Sequence, residues 1–291
     1  MDPRQQLRSR LRNALHTLFL LGGMALLLMF SGHLLLGPGT EWLVLTLLIA
    51  VSVLLPTLPT QWQLRMMRVT RMTGAPGLTQ AVAELARRAK LECPPRVFWS
   101  PSMTANAFAM GTQHDGVIVV SEGLLRRLSA PQIAGVLAHE IAHLAHSDAF
   151  LLRMAALITG LCRMLASLAW IGAFIMLPLM LFGMASVSVG ALLLLMLTPH
   201  LCALLQLALS RVREFDADRR AASLLGAPEP LASALLTISR EQAPMWRGLL
   251  IPTGQGDPLA WLRSHPPTSE RVEKLMALKA APSAYPYNDH W

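Results

Sequence analysis

His139-Glu140-Ile141-Ala142-His143 sets two imidazoles and a carboxylate at a spacing that suits a metal ion with an acid–base group beside it. On an α-helix, residues four apart share a face. Both imidazoles can therefore reach one ion while Glu140 stands beside the open coordination position. Far downstream, Arg213-Glu214-Phe215-Asp216-Ala217-Asp218 repeats the spacing. Glu214 suits a third ligand on one turn, and Asp218, on the next, suits a carboxylate that holds a ligand from behind.

The motif works only if a helix carries it. Ser129-Ala130-Pro131-Gln132 reads as a capping box with Pro in the first turn, and Ala-, Leu- and Ile-rich sequence follows through Phe150, so a helix is predicted there. The bland alternative is a solvated helix face that happens to carry His and Glu. His146 is a rival third ligand, yet the long metzincin pattern needs Gly at 146 and His at 149, where this chain has His146 and Ala149. A neutral histidine, partly exposed or behind the ligands, is expected instead.

Composition then decides where such a site sits. Of 291 residues, 53% are hydrophobic and 14% charged, and the mean hydropathy of +0.45 marks a membrane protein with a modest polar part. No Asp, Glu, Lys or Arg occurs from Asn13 to Thr40 or from Trp42 to Leu64, and a crossing needs roughly 20 apolar residues. Arg4, Arg8, Arg10 and Arg12 resemble a secretory leader. The run from Leu15 to Leu36 is too long for a signal core and no A-x-A-like site follows, so it reads as an uncleaved anchor. Met164 through Ser210 is uncharged and broken by Pro178, Gly183, Ser186, Ser188 and Gly190, which suits a second hairpin rather than two buried soluble helices.

Four spans in two hairpins result, with divisions at 1–64, 65–150, 151–210 and 211–291. Arginines cluster at the ends of both hairpins and not at their tips, so the positive-inside rule places both termini and the chemistry in the cytosol. The net charge of +8 has the same source, and scattered span-flanking arginines do not make a nucleic-acid surface. Cys93, Cys162 and Cys202 are odd in number, widely spaced and without a C-x-x-C pair, so free thiols are expected. His200 inside a span reads as neutral and hydrogen-bonded rather than as a proton relay.

The polar residues form two pieces, about 61–149 and 211–291, that must meet to complete the site. Leu78 to Leu91 is helical in pattern. Arg96–Trp99, Asn106–Met110 and Val117–Val120 read as strands, and His114-Asp115-Gly116 fits the turn between the last two. A small antiparallel sheet beside the active-site helix is expected, with Asn106–Met110 an exposed edge open to an extended peptide.

Asn106-Ala107-Phe108-Ala109, Ser121-Glu122-Gly123-Leu124-Leu125, Ala138 through His143, Arg213-Glu214-Phe215 with Ala217-Asp218, and Ser264-His265-Pro266-Pro267 with Arg271 together resemble the HtpX-type membrane-embedded zinc metallopeptidases, relatives of the CAAX-processing proteases. The resemblance covers almost the whole chain. It implies a gluzincin-like α+β protease domain on the cytosolic face of a bacterial inner membrane, degrading or clipping damaged membrane proteins. It makes His139, His143 and Glu214 the ligands of one zinc per chain, with Glu140 moving the proton and Asp218 fixing the tautomer of His139. His265 and Arg271 look like the residues that stabilise the oxyanion and order the site, and Asn106, Ala107, Phe108 and Ala109 like the substrate edge. Asp216 departs from the pattern that the resemblance implies, in which many relatives carry histidine there, and a more acidic surface is expected.

Three readings compete: a zinc endopeptidase, a protease that cuts inside the bilayer, and a membrane scaffold with a structural metal. Arg126, Arg127 and Gln132 before the motif and His146, Ser147 and Asp148 after it make its helix too polar for a span. A structural zinc closes with four protein ligands and needs no base, so Glu140 counts against the scaffold.

Overall fold

The computed structural model describes residues 3–54, 64–65, 67, 69–184, 188–242 and 267–279. The chain divides into two compact units, Met1–Leu58 with Phe150–Ser210 and Pro59–Ala149 with Arg211–Trp291. Among the described residues the elements are α1 (Pro3–Leu36), α2 (Thr40–Leu54), β1 (Thr70–Arg71), α3 (Pro76–Arg88), β2 (Arg96–Ser100), β3 (Ala107–Met110), β4 (Val117–Ser121), α4 (Glu122–Arg127), α5 (Ala130–Ala145), α6 (Asp148–Leu181), α7 (Val189–Leu225), α8 (Glu229–Gln242) and α9 (Thr268–Lys279).

The first unit is helical. α1 and α2 are joined through Gly37 and Gly39, whose φ angles of 89° and 94° suit glycine and let the chain reverse at once. The helices close near the turn because Gly32 offers no side chain: a Cβ there would stand 3.3 Å from Thr40 and 3.4 Å from Val44. Met24, Leu28, Val44, Leu48, Ile158, Leu165 and Leu209 form one buried apolar cluster. Among the described residues, three stretches are long and apolar enough to cross a bilayer: Leu11–Leu36, Asp148–Leu179 and Val189–Leu225. α2 has 15 residues, about 22 Å of helix against a core of about 30 Å, and residues 55–63 of the expected second span lie outside those described. Pro178 falls inside α6, so the second reversal comes after Leu181 and not at the proline.

The second unit is α+β and holds α5 at its centre. Gln132 accepts a hydrogen bond from the Ser129 backbone N–H at 2.9 Å, which satisfies one of the orphan donors of a helix start. Its amide nitrogen reaches Thr237 on α8 at 3.2 Å. Gly135 lets α8 come close, since a Cβ there would meet the Leu231 backbone nitrogen at 2.7 Å. Val136, Leu137 and Ile141 of α5 bury against Ile118, Val120, Leu231 and Leu275.

The sheet has the order β1-β2-β4-β3 and is mixed, which corrects the expectation of an antiparallel one. β2 and β4 run parallel, while β1–β2 and β3–β4 are antiparallel. Direction in so short a sheet is set by the connections. Between β2 and β4 the chain runs back once, as β3, then turns through a hairpin closed at Gly111 (φ 93°), and β4 inserts beside β2. β4 is buried along its whole length: Ile118 and Val120 face the α5 core, and Val117 and Val119 face Leu64 and Met110. Such an unbroken apolar run is the mark of a strand covered on both faces. α3 stops at Arg88, short of the expected Leu91, because Lys90 takes φ 59° and the Leu91 N–H returns to the Ala86 carbonyl at 3.0 Å, a Schellman-type close.

Candidate metal centre

α5 presents His139 and His143 on one face, and their rings meet edge to face with centroids 4.6 Å apart. His143 Nδ1 lies 2.8 Å from Asp148 Oδ2. A carboxylate only accepts, so Nδ1 of His143 carries a proton, and in the neutral ring Nε2 is then the atom with the lone pair. Asp218 Oδ1 lies 3.0 Å from His139 Nδ1. The approach is off the N–H direction and makes no aligned hydrogen bond, but the nearby charge favours the same tautomer. The two Nε2 atoms consequently face each other at 3.1 Å.

Glu214, on α7, completes the triangle. Its Oε2 lies 3.4 Å from His139 Nε2 and its Oε1 3.5 Å from His143 Nε2. Two lone pairs and a buried carboxylate held this close repel one another unless a proton or a metal cation lies between them. Ligands about 2.0–2.1 Å from a tetrahedral zinc stand roughly 3.3 Å apart, close to the 3.1 Å between the two imidazole nitrogens and to the distance from each nitrogen to one or the other Glu214 oxygen. Among the described residues this trio is the group of His, Cys, Asp or Glu placed to hold a metal ion.

Charge agrees with geometry. Asp148, Glu214 and Asp218 are buried with Arg213 and Arg271. Arg271, on α9, grips Asp218 with two hydrogen bonds, Nε to Oδ2 at 2.8 Å and Nη2 to Oδ1 at 2.7 Å, and its Nη1 lies 3.3 Å from Glu214 Oε2. Arg213 donates to Asp148. Glu140 is half-buried and close enough to help raise the Arg271 pKa. Four carboxylates against two guanidiniums leave two negative charges, which a divalent ion offsets. The imidazoles respond to that excess. Burial alone would pull them down, yet Asp218 and Glu214 hold His139 above the usual value, and Asp148 and Glu214 hold His143 well above it. Burial pushes Asp218 up, but Arg271 and His139 outweigh it and keep it below the ordinary range.

Asp148 is the residue that sequence reasoning missed. It stands five positions past His143 and opens α6; between them Ser147 takes φ 54° and turns the carboxylate back to the ring. The legible signal was an acid at the junction of a histidine helix and the next apolar helix, with Arg213 beside Glu214 as a counter-charge. His146 turns away from the trio: its Nδ1 lies 3.0 Å from the Ala142 carbonyl and its Nε2 faces Arg220. Asp216 is buried, not surface acidity, and Arg219 and Arg220 both bind it, at 2.7 and 2.9 Å. His200 on α7 has Nδ1 2.9 Å from the Met196 carbonyl. His265 lies outside the described residues. Asn106, Ala107, Phe108 and Ala109 fall at and along β3, an outer strand of the sheet, and α5 packs against that strand.

An H-E-x-x-H helix, a distant glutamate and long apolar helices define a multi-pass membrane metallopeptidase. The chain matches the model of peptidase family M48 over residues 74–279 and belongs to that family. It is similar to the protease HtpX homolog of Acaryochloris marina, with 35% identity over 92% of this chain and 95% of the relative. It is also similar to the protease HtpX homolog of Desulforapulum autotrophicum, with 33% identity over 90% and 89%. The crystal structure of S. mikatae Ste24p aligns with a TM-score of 0.51 over 93% of this chain and 66% of that one, at 21% identity, a likeness of fold.

The Asp148 contact generates a prediction. Asp148→Ala in the full chain lowers metal affinity by roughly 10–100-fold, as loss of a carboxylate behind a ligating histidine does, measured by competition with a chromogenic chelator. Wild-type affinity in a folded Asp148→Ala protein would contradict the role given to this carboxylate.

Proposed function

We propose that the chain is a zinc-dependent endopeptidase of the bacterial inner membrane that cleaves unfolded or damaged membrane proteins on the cytosolic face. The observation that carries this reading is the convergence of buried His139 and Glu214 with the partly buried His143, with Glu140, on the helix of the two histidines, near Arg271 and outside the trio. Three protein ligands leave a coordination position open, the hallmark of a catalytic rather than a structural zinc. That supports the enzyme over the scaffold.

Zinc held by the trio would bring the pKa of a water towards about 7 and polarise the scissile carbonyl. The rest falls to the chain's own groups. Glu140 takes the proton of the attacking water and later gives a proton to the leaving amine nitrogen. Asp218 and Asp148 hold the imidazoles with Nδ1 protonated, and Arg271 orders Asp218 and Glu214. His265 and Arg271 are assigned the stabilisation of developing oxyanion charge.

β3 supplies the substrate edge. Asn106 and Ser121 are joined by hydrogen bonds at 2.9 and 3.0 Å, and pairing alternates along an antiparallel ladder. Ala107 and Ala109 therefore turn their backbone groups to the open side. An extended peptide can pair there through its main chain without its side chains being read, which suits varied unfolded substrates. Four spans, with α2 continuing past Leu54, and arginine-rich ends inside complete the proposal.

Three outcomes test it. Glu140→Gln keeps about one zinc per chain and loses orders of magnitude in peptide turnover; proteolysis at the wild-type rate would sink the mechanism. Ala109→Pro removes an outward donor and leaves the β4 ladder intact, so cleavage of an unfolded substrate falls while zinc content holds; unchanged cleavage would place the substrate elsewhere. Reporter fusions after residues 40 and 186 report the periplasm and those after 75 and 291 the cytosol; a periplasmic C-terminus would overturn the orientation.

A further inference from the structure

Cys162 on α6 and Cys202 on α7 are fully buried in the helical unit, and their Sγ atoms lie 3.4 Å apart. In sequence nothing pairs them, since they stand 40 positions apart. The hairpin makes them neighbours. Ile158, Cys162 and Leu165 on one helix and Cys202, Leu205 and Leu209 on the other recur at spacings of three and four within one apolar cluster, the pattern of a packed helix–helix seam. The thiols thus occupy facing positions that packing holds in place. A disulfide needs S–S of about 2.05 Å, so each sulfur has to move only about 0.7 Å.

We propose that Cys162 and Cys202 are a reversible oxidation site, closing to a disulfide that ties α6 to α7 when a lipid-soluble hydroperoxide reaches the bilayer. One sulfur attacks the terminal peroxide oxygen, the O–O bond breaks, and an alcohol leaves behind a sulfenic acid. The second sulfur displaces that oxygen as water and the S–S bond forms. Two thiol hydrogens are lost in all, and the hydroperoxide takes both electrons. Burial in apolar surroundings selects an oxidant that partitions into lipid and shields the product from the water-soluble thiols that keep cytosolic cysteines reduced. Cys93 is exposed and belongs to the other unit, so it serves as the unpaired control. The bond would fix the register of the two helices that carry Asp148, Arg213 and Glu214. The inference is independent of the peptidase reading.

The test uses the full-length protein in lipid nanodiscs, reduced with a phosphine, exposed to cumene hydroperoxide, then denatured in N-ethylmaleimide and digested without reduction. The expected result is a linked peptide pair joining Cys162 to Cys202, lighter by two hydrogens, with Cys93 as the alkylated cysteine. Dithiothreitol added after denaturation restores alkylation at all three. Cys93→Ser keeps the link, and Cys162→Ser and Cys202→Ser each abolish it while leaving the remaining thiol open to alkylation. Recovery of Cys162 and Cys202 as separate maleimide adducts or separate sulfinic acids from oxidised wild-type protein, or a link through Cys93, would overturn the proposal. Wild type and Cys93→Ser decide the matter even if a buried serine variant fails to fold.

Discussion

The site depends on buried negative charge held around two imidazole lone pairs. Removing a charge from water costs several kcal/mol even after relaxation, and the cost is recovered only where geometry and hydrogen bonds are good. Here each carboxylate is tied: Asp218 by both arms of Arg271, Asp148 by Arg213 and His143, and Glu214 by its approach to Arg271. With Glu140 counted beside these three, the two arginines leave two negative charges, which a divalent cation offsets. Removing one partner of such a buried pair costs about 3–5 kcal/mol, so the cage and the fold around it are not separable.

That requirement explains the architecture around α5. The groups come from α5 (His139 and His143), the start of α6 (Asp148), α7 (Arg213, Glu214 and Asp218) and α9 (Arg271), and each helix is fixed by apolar packing so that its polar groups can meet. Ala221 and Ala222, a turn past Asp218, bury in the same cluster as Leu137 and Ile141, so the stretch that carries Glu214 is held by its own far side. Leu275, one turn after Arg271, does the same for α9. β4 closes the cluster from beneath, and its central position makes it apolar on both faces.

Much of this was legible in the sequence because the signals are local. The i, i+4 spacings of His139/His143 and Glu214/Asp218 placed the ligand candidates, the Ser129–Gln132 box placed the start of α5, and uncharged runs marked the membrane helices. What was not legible depended on contacts between distant segments. Asp148 reads as a polar flank until the left-handed Ser147 swings it under His143. Asp216 reads as surface acidity until Arg219 and Arg220 bury it. The parallel pairing of β2 with β4 follows from how β3 reverses the chain, which strand composition does not encode. The facing thiols of Cys162 and Cys202 arise from the register of a hairpin that brings together residues 40 positions apart.

The measurement that tests the central claim most directly is X-ray absorption at the zinc edge of the purified full-length protein. The account predicts a first shell of nitrogen and oxygen alone at about 2.0–2.1 Å, with the outer-shell scattering of two imidazoles. A sulfur shell near 2.3 Å, or a spectrum left unchanged by His139→Ala, would show that the metal is held elsewhere and contradict the account.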